Sequence, residues 1–132
     1  TGLRALGFSF QNPNGKVFKI PNNLSTIRRE MEIKSTILSH KPDGIFVSDD
    51  LTAILTMKIA HQLKLNIPED LKIIGYDGTS FVEKFFPQLT TIRQPIDEIA
   101  SLIVDVLLKK MKNEKTSKDY ILPISLLPGG SI

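Results

Sequence analysis

Cysteine is absent from this chain of 132 residues, which excludes disulfides, thiolate metal sites and a cysteine nucleophile, and fits the cytoplasm. No stretch is long and apolar enough to cross a bilayer, and no secretory leader is expected. No glycine-rich phosphate loop and no internal repeat is visible. The two histidines, His40 at an expected helix end and His61 inside a helix, have no serine or acid spaced to suggest a catalytic triad. Aromatic residues do not interleave with basic ones, so a single-strand nucleic-acid platform is excluded despite the net charge of +3. The tightest basic cluster, Lys109, Lys110, Lys112 and Lys115, falls where a helix ends, and the helix dipole favours cations there. Neither an enzyme nor a cofactor is called for.

What is present is an ordinary globular composition, 41% hydrophobic and 23% charged, in a length that suits one domain with a real core. Its most informative parts are two short apolar runs that each stop in carboxylates. Gly44-Ile45-Phe46-Val47 runs into Ser48-Asp49-Asp50, and Leu71-Lys72-Ile73-Ile74-Gly75-Tyr76 runs into Asp77. Unbroken apolar runs of this length suit parallel strands covered on both faces. The ends of such strands are where α/β folds gather ligand-binding groups. Asp49, Asp50 and Asp77 are therefore expected to line a polar crevice.

The remaining pattern alternates helices and strands. A short helix is expected over 3–10, a turn at Asn12-Pro13-Asn14-Gly15 and a strand over 17–20. Pro21-Asn22-Asn23 should open a helix, with an asparagine as its cap and Leu24, Ile27, Met31 and Leu38 as its buried stripe. A strand over 44–48 precedes a helix over 50–64 with two apolar stripes. One is Leu51, Leu55, Ile59 and Leu63; the other is Ile54, Met57 and His61. A helix on a sheet needs one apolar face, so the second stripe reads either as contact with another subunit or domain, or as scattered surface hydrophobes. Strands over 71–76 and 90–93 flank the apolar stretch Phe81, Val82, Phe85 and Phe86. A helix follows with Pro95 near its first position, Asp97 and Glu98 in its first turn and lysines in its last. Its apolar face is expected to be Ile96, Ile99, Ala100, Ile103, Val104, Leu107, Leu108 and Met111. Pro123 marks the last extended segment, 120–127, as an edge or crossing strand. The fold class is α/β: an open, mostly parallel sheet with helices on both faces and right-handed crossovers. Such a unit supplies one side of a crevice only.

Three runs then carry a specific resemblance. Asp43 through Ala53 is similar to the strand-to-helix signature of the lactose-repressor family of bacterial transcription regulators. Leu65-Asn66-Ile67-Pro68-Glu69-Asp70 and the strand after it resemble that family's next connector and strand, and Pro87-Gln88-Leu89-Thr90-Thr91-Ile92-Arg93-Gln94-Pro95 resembles its most recognisable run. The likeness is closest from Asp43 to Leu108 and reaches forward to Arg4-Ala5-Leu6-Gly7-Phe8. It implies the second lobe of a two-lobed effector-binding domain of the kind found in periplasmic sugar-binding proteins. The DNA-reading headpiece and most of the first lobe are expected to lie outside this sequence. A sugar-responsive repressor is implied, with a sucrose-type one among the candidates.

By the same resemblance the ligand contacts fall on Arg4, Asp49, Asp50, Asp77 and Gln94, and the partner is a small carbohydrate. That chemistry suits hydroxyl pairs, because carboxylates accept two hydrogen bonds, arginine donates a fork and a primary amide does both. Asp50 could instead cap its helix, Gln94 could cap the helix at Pro95, and Arg4 could pair with a crevice acid. The family's stacking aromatic is missing from 20–23, where Phe18 is the nearest ring, and Gly78 stands where many members carry a second acid. The resemblance also implies a homodimer through Ile54, Met57, His61, Phe81 and Phe85, with operator DNA bound only by the absent headpiece and no membrane partner. The alternatives are a sugar-binding component of a transporter and, more remotely, a receiver-like phosphoacceptor with magnesium held by the paired acids.

Overall fold

The computed structural model describes residues 2–21 and 23–132. The elements run α1 (Gly2–Gln11), α2 (Thr26–His40), β1 (Gly44–Phe46), α3 (Asp50–Gln62), β2 (Lys72–Asp77), α4 (Ser80–Phe85), β3 (Thr90–Arg93), α5 (Ile96–Met111) and β4 (Ser125–Leu127). The sheet order is β1-β2-β3-β4. Its first three strands are parallel, with Phe46 opposite Ile74 and Asp77 opposite Arg93; β4 pairs antiparallel to β3 at the edge, just after Pro123. This is the expected open α/β sheet with helices around it. No described helix is long and apolar enough to cross a membrane.

The core is Ile33 and Ile37 of α2, Ala53, Ile59 and Ala60 of α3, Val47, Leu71, Ile73, Val82 and Leu89. The alanines let α3 lie close on β2 and α2, while the buried Thr56 hydroxyl donates to the Thr52 carbonyl one turn back, at 2.8 Å. At the end of the chain Ser131 is fully buried. Its Oγ donates to the Ile73 carbonyl and accepts from the Thr90 amide, which ties the tail across β2 and β3.

Several expectations are corrected. Residues 17–20 lie in no strand, and the Phe18 ring packs edge-on against His40. A run this short, broken by Lys19, has no ladder to join among the described residues. Helix α2 starts at Thr26, with Ser25 accepting from the Arg28 amide, instead of at the asparagines; Asn22 lies outside the described residues. Its inward face is Ile33 and Ile37, whereas Ile27, Met31 and Leu38 are exposed. Both sets have helical spacing, and contact with α3 decides between them. On α3 the expected stripe holds at Ile59, but Leu51 at its start is 70% exposed. Helix α5 has the expected bounds and charges, yet none of its residues is buried. The core therefore sits on α2, α3 and the sheet.

Candidate functional site

The carboxyl ends of β1 and β2 and the segment after β3 meet at one rim, and Asp77 lies at its centre. Asp77 ends β2 with φ 135, a backbone conformation that favours glycine, and Gly78 follows at φ 61. A Cβ on Gly78 would fall 2.5 Å from the Arg93 Cα, so the turn needs glycine for space as well as for φ. Gln94 Nε2 donates to Asp77 Oδ1 at 2.8 Å, and the Gln94 amide donates to the Asp77 carbonyl at 3.1 Å. The second carboxylate oxygen of Asp77 accepts no hydrogen bond among the described residues. Burial pushes the Asp77 carboxyl above its ordinary proton affinity, the Gln94 hydrogen bond pulls it back, the Asp50 charge raises it, Arg4 lowers it and Asp49 raises it. The other four expected ligand residues are thus within electrostatic or hydrogen-bonding reach of the Asp77 carboxylate.

Their roles differ. Asp49 is the N-cap of α3: Oδ1 accepts from the Thr52 amide at 2.8 Å and Oδ2 from the Thr52 hydroxyl at 3.0 Å. The cap is therefore Asp49 and not Asp50. Asp50 is 3% exposed; Oδ2 accepts from the Gly78 amide at 2.8 Å and Oδ1 from the Thr91 hydroxyl. Both of its oxygens are engaged beneath the rim by partners within the chain. Room for it comes from Gly75, where a Cβ would lie 2.4 Å from Asp50 Oδ1. Arg4 donates to the Ser48 carbonyl at 2.7 Å, and its guanidinium lies 3.6 Å from the Tyr76 ring centroid. Gln94 does not cap α5, since Pro95 at that cap has no side-chain partner. Thr91 and Tyr76 were not singled out from sequence, and Gly78 only as the position where many family members carry an acid. Thr91 announces itself only as a polar residue in a strand, and its hydroxyl acquires meaning once Asp50 is seen to be buried.

The second stripe of α3 lies elsewhere. Ile54, Met57 and His61 line an open groove of about 480 Å³ together with Ile67, Phe86 and Gln88. Phe81 and Phe85 are exposed on α4 with ring centroids 5.0 Å apart, and Phe81 continues to Phe86 at 6.0 Å. The five residues expected at a subunit contact are therefore linked through Phe86 in one surface, whose groove Lys58, Asn66 and Glu69 also line.

Residues 5–132 match the periplasmic binding protein-like domain family. The chain belongs to that family. Within it, the chain is 61% identical over 132 residues to the sucrose operon repressor of Streptococcus mutans, covering all of this chain and 41% of that protein. A periplasmic binding protein/LacI transcriptional regulator from Alkaliphilus metalliredigens, solved with D-xylulofuranose, superposes with a TM-score of 0.78 at 28% identity, over 100% of this chain and 52% of the other. The lac repressor dimer bound to operator and the anti-inducer ONPF superposes with a TM-score of 0.83 at 22% identity, over 98% of this chain and 41% of the other, a likeness of fold. The chain thus spans about two fifths of the sucrose repressor's length, and the periplasmic binding protein-like segment seen here is what the two share.

Proposed function

We propose that this chain is the second lobe of the effector domain of a sugar-sensing transcriptional repressor, of the sucrose operon kind, in which Asp77 is the central ligand contact. The DNA-binding headpiece and most of the first lobe belong to the rest of a longer protein. The observation that carries the reading is the 61% identity, over the whole chain, to the sucrose operon repressor of Streptococcus mutans. The rim geometry supports it: Asp77 offers a free carboxylate oxygen beside the Gln94 amide and the Arg4 guanidinium, a set matched to adjacent hydroxyls. Asp49 contributes a half-buried carboxylate at the mouth of the same rim.

In this reading a carbohydrate bridges the two lobes, a homodimer forms through Ile54, Met57, His61, Phe81 and Phe85, and the headpieces bind operator DNA in the cytoplasm. The protein binds and does not catalyse. The receiver alternative loses its magnesium site, because Asp50 has both oxygens engaged by Gly78 and Thr91. The transporter alternative shares the fold, but the identity to a repressor favours regulation.

The test is a thermal-shift screen of mono- and disaccharides, sucrose included, on the full-length protein, followed by operator gel shifts with the sugar that raises the midpoint. A sugar that stabilises the protein and changes operator binding supports the reading. No stabilisation by any sugar, or stabilisation that survives Asp77→Ala, overturns it.

A further inference from the structure

We infer that Asp50 is a positioning residue for ligand binding: its buried carboxylate holds the Asp77–Gly78 peptide in the conformation that aims Asp77 into the crevice. The inference rests on the reading of Asp77 as a ligand contact.

Asp77 and Gly78 have consecutive positive φ values, 135 and 61, at the very end of a strand. A non-glycine residue in that region is strained and persists only where its surroundings over-determine it. The Asp77 carbonyl is held by the Gln94 amide and the Gly78 carbonyl by Arg93 Nε at 3.3 Å. The Gly78 amide, on the peptide that joins the two residues, is held by Asp50 Oδ2 at 2.8 Å, 28 positions away in sequence. A carboxylate makes this a charge-assisted bond, stronger than a neutral acceptor would give.

The same residue is an expensive choice for stability alone. Asp50 is 3% exposed, and none of the ion pairs among the described residues includes it. Its charge is met by two hydrogen bonds, one from a backbone amide and one from Thr91. Burying a charge so supported is costly. Space for it has been cleared at Gly75, in mid-strand, where glycine weakens the strand. A buried charge, a strained residue and a strand glycine therefore converge on one peptide bond, and that peptide sets the direction of the Asp77 side chain. Asp50 also acts on Asp77 at a distance, since its charge raises the proton affinity of the Asp77 carboxyl.

The experiment uses full-length protein, with sucrose as the probe ligand, and compares wild type with Asp50→Asn, Thr91→Val and Asp77→Asn. Thr91→Val removes Asp50's other partner but leaves its bond to Gly78, so it serves as the control for lost stability in the same buried cluster. Two quantities are read: sucrose affinity by calorimetry, and amide exchange of the peptide containing Gly78 by mass spectrometry. The expected result is that Asp50→Asn, which leaves Gly78 only a neutral acceptor, speeds exchange at Gly78 and weakens sucrose binding about tenfold, as replacing a charged acceptor by a neutral one allows, while Thr91→Val keeps both within about threefold of wild type. If Asp50→Asn leaves Gly78 exchange unchanged, or if the two variants lose affinity in step with their melting temperatures, the inference is overturned. If Asp77→Asn binds sucrose like wild type, the ligand reading fails instead, and Gly78 exchange alone decides whether Asp50 holds the peptide.

Discussion

The Gln94 side-chain amide donates to Asp77 Oδ1 across 2.8 Å, joining the last residue of β2 to the residue that follows β3. That bond favours the ionised carboxylate, yet burial and the charge of Asp50 outweigh it, and Asp77 holds its proton more tightly than an ordinary aspartate. In the unfolded chain the group titrates at its ordinary value of 3.8. As pH rises through that value the unfolded state loses its proton first, so stability falls until the folded pKa is passed and stays lowered above it. Asp77→Asn keeps an oxygen for Gln94 and removes the charge. The variant is expected to melt higher than wild type at neutral pH, to lose that advantage as pH falls toward 3.8, and to lose sugar binding. Melting curves from pH 4 to 8 check it; an Asp77→Asn protein less stable than wild type at neutral pH counts against this account.

Asp49 separates two roles that overlap in one side chain. As N-cap of α3 it accepts from the Thr52 amide and hydroxyl. Asp49→Ala is expected to cost about 1 kcal/mol of stability in urea unfolding, within the usual range for caps. Asp49→Ser keeps a capping oxygen and should recover most of that loss without recovering sugar affinity. If serine restores both, Asp49 is a cap and nothing more.

Much of this was legible in the sequence, for identifiable reasons. The strand Thr90–Arg93 and the bounds of α5 followed from local signals, namely Pro95, the acids after it and the terminal lysines. The convergence of Asp49, Asp50 and Asp77 followed from parallel strands ending in acids. The difference between Asp49 and Asp50 was not legible. Adjacent acids at a helix start look alike, and which one caps and which one turns inward depends on Gly75 and Thr91, distant residues that clear the space and supply the hydrogen bond. The stripe on α2 failed similarly, because Ile33 and Ile37 and the Ile27–Met31–Leu38 set both have helical spacing, and only the position of α3 selects one.

Gly75 offers a test of packing under the rim. An alanine there would place its Cβ 2.4 Å from Asp50 Oδ1 and 3.2 Å from Leu89 Cδ2. Asp50 cannot retreat without releasing Gly78 or Thr91. Gly75→Ala should therefore cost about 1–3 kcal/mol, the usual range for overpacking, although alanine suits a strand better than glycine. A urea midpoint equal to or above wild type would mean that the carboxylate has room the structure does not provide.

The apolar surface joining α3 to α4 carries the last prediction. Ile54 and Met57 line the groove with Phe86, and Phe81 leads from Phe86 to Phe85, a residue 63% exposed. A surface of this kind, placed on a subunit that pairs about a twofold axis, meets its own copy, so each substitution enters the interface twice. Met57→Glu and Phe85→Glu would each bury two like charges without partners, and removing or burying charge in this way is strongly unfavourable. Sedimentation of the full-length protein is expected to show a dimer for wild type and a concentration-dependent shift toward monomer for either variant. Circular dichroism should remain unchanged for Phe85→Glu, because Phe85 is exposed, and it checks the fold of Met57→Glu, because Met57 is half-buried against the core. A dimer that survives both substitutions would place the subunit contact on another face.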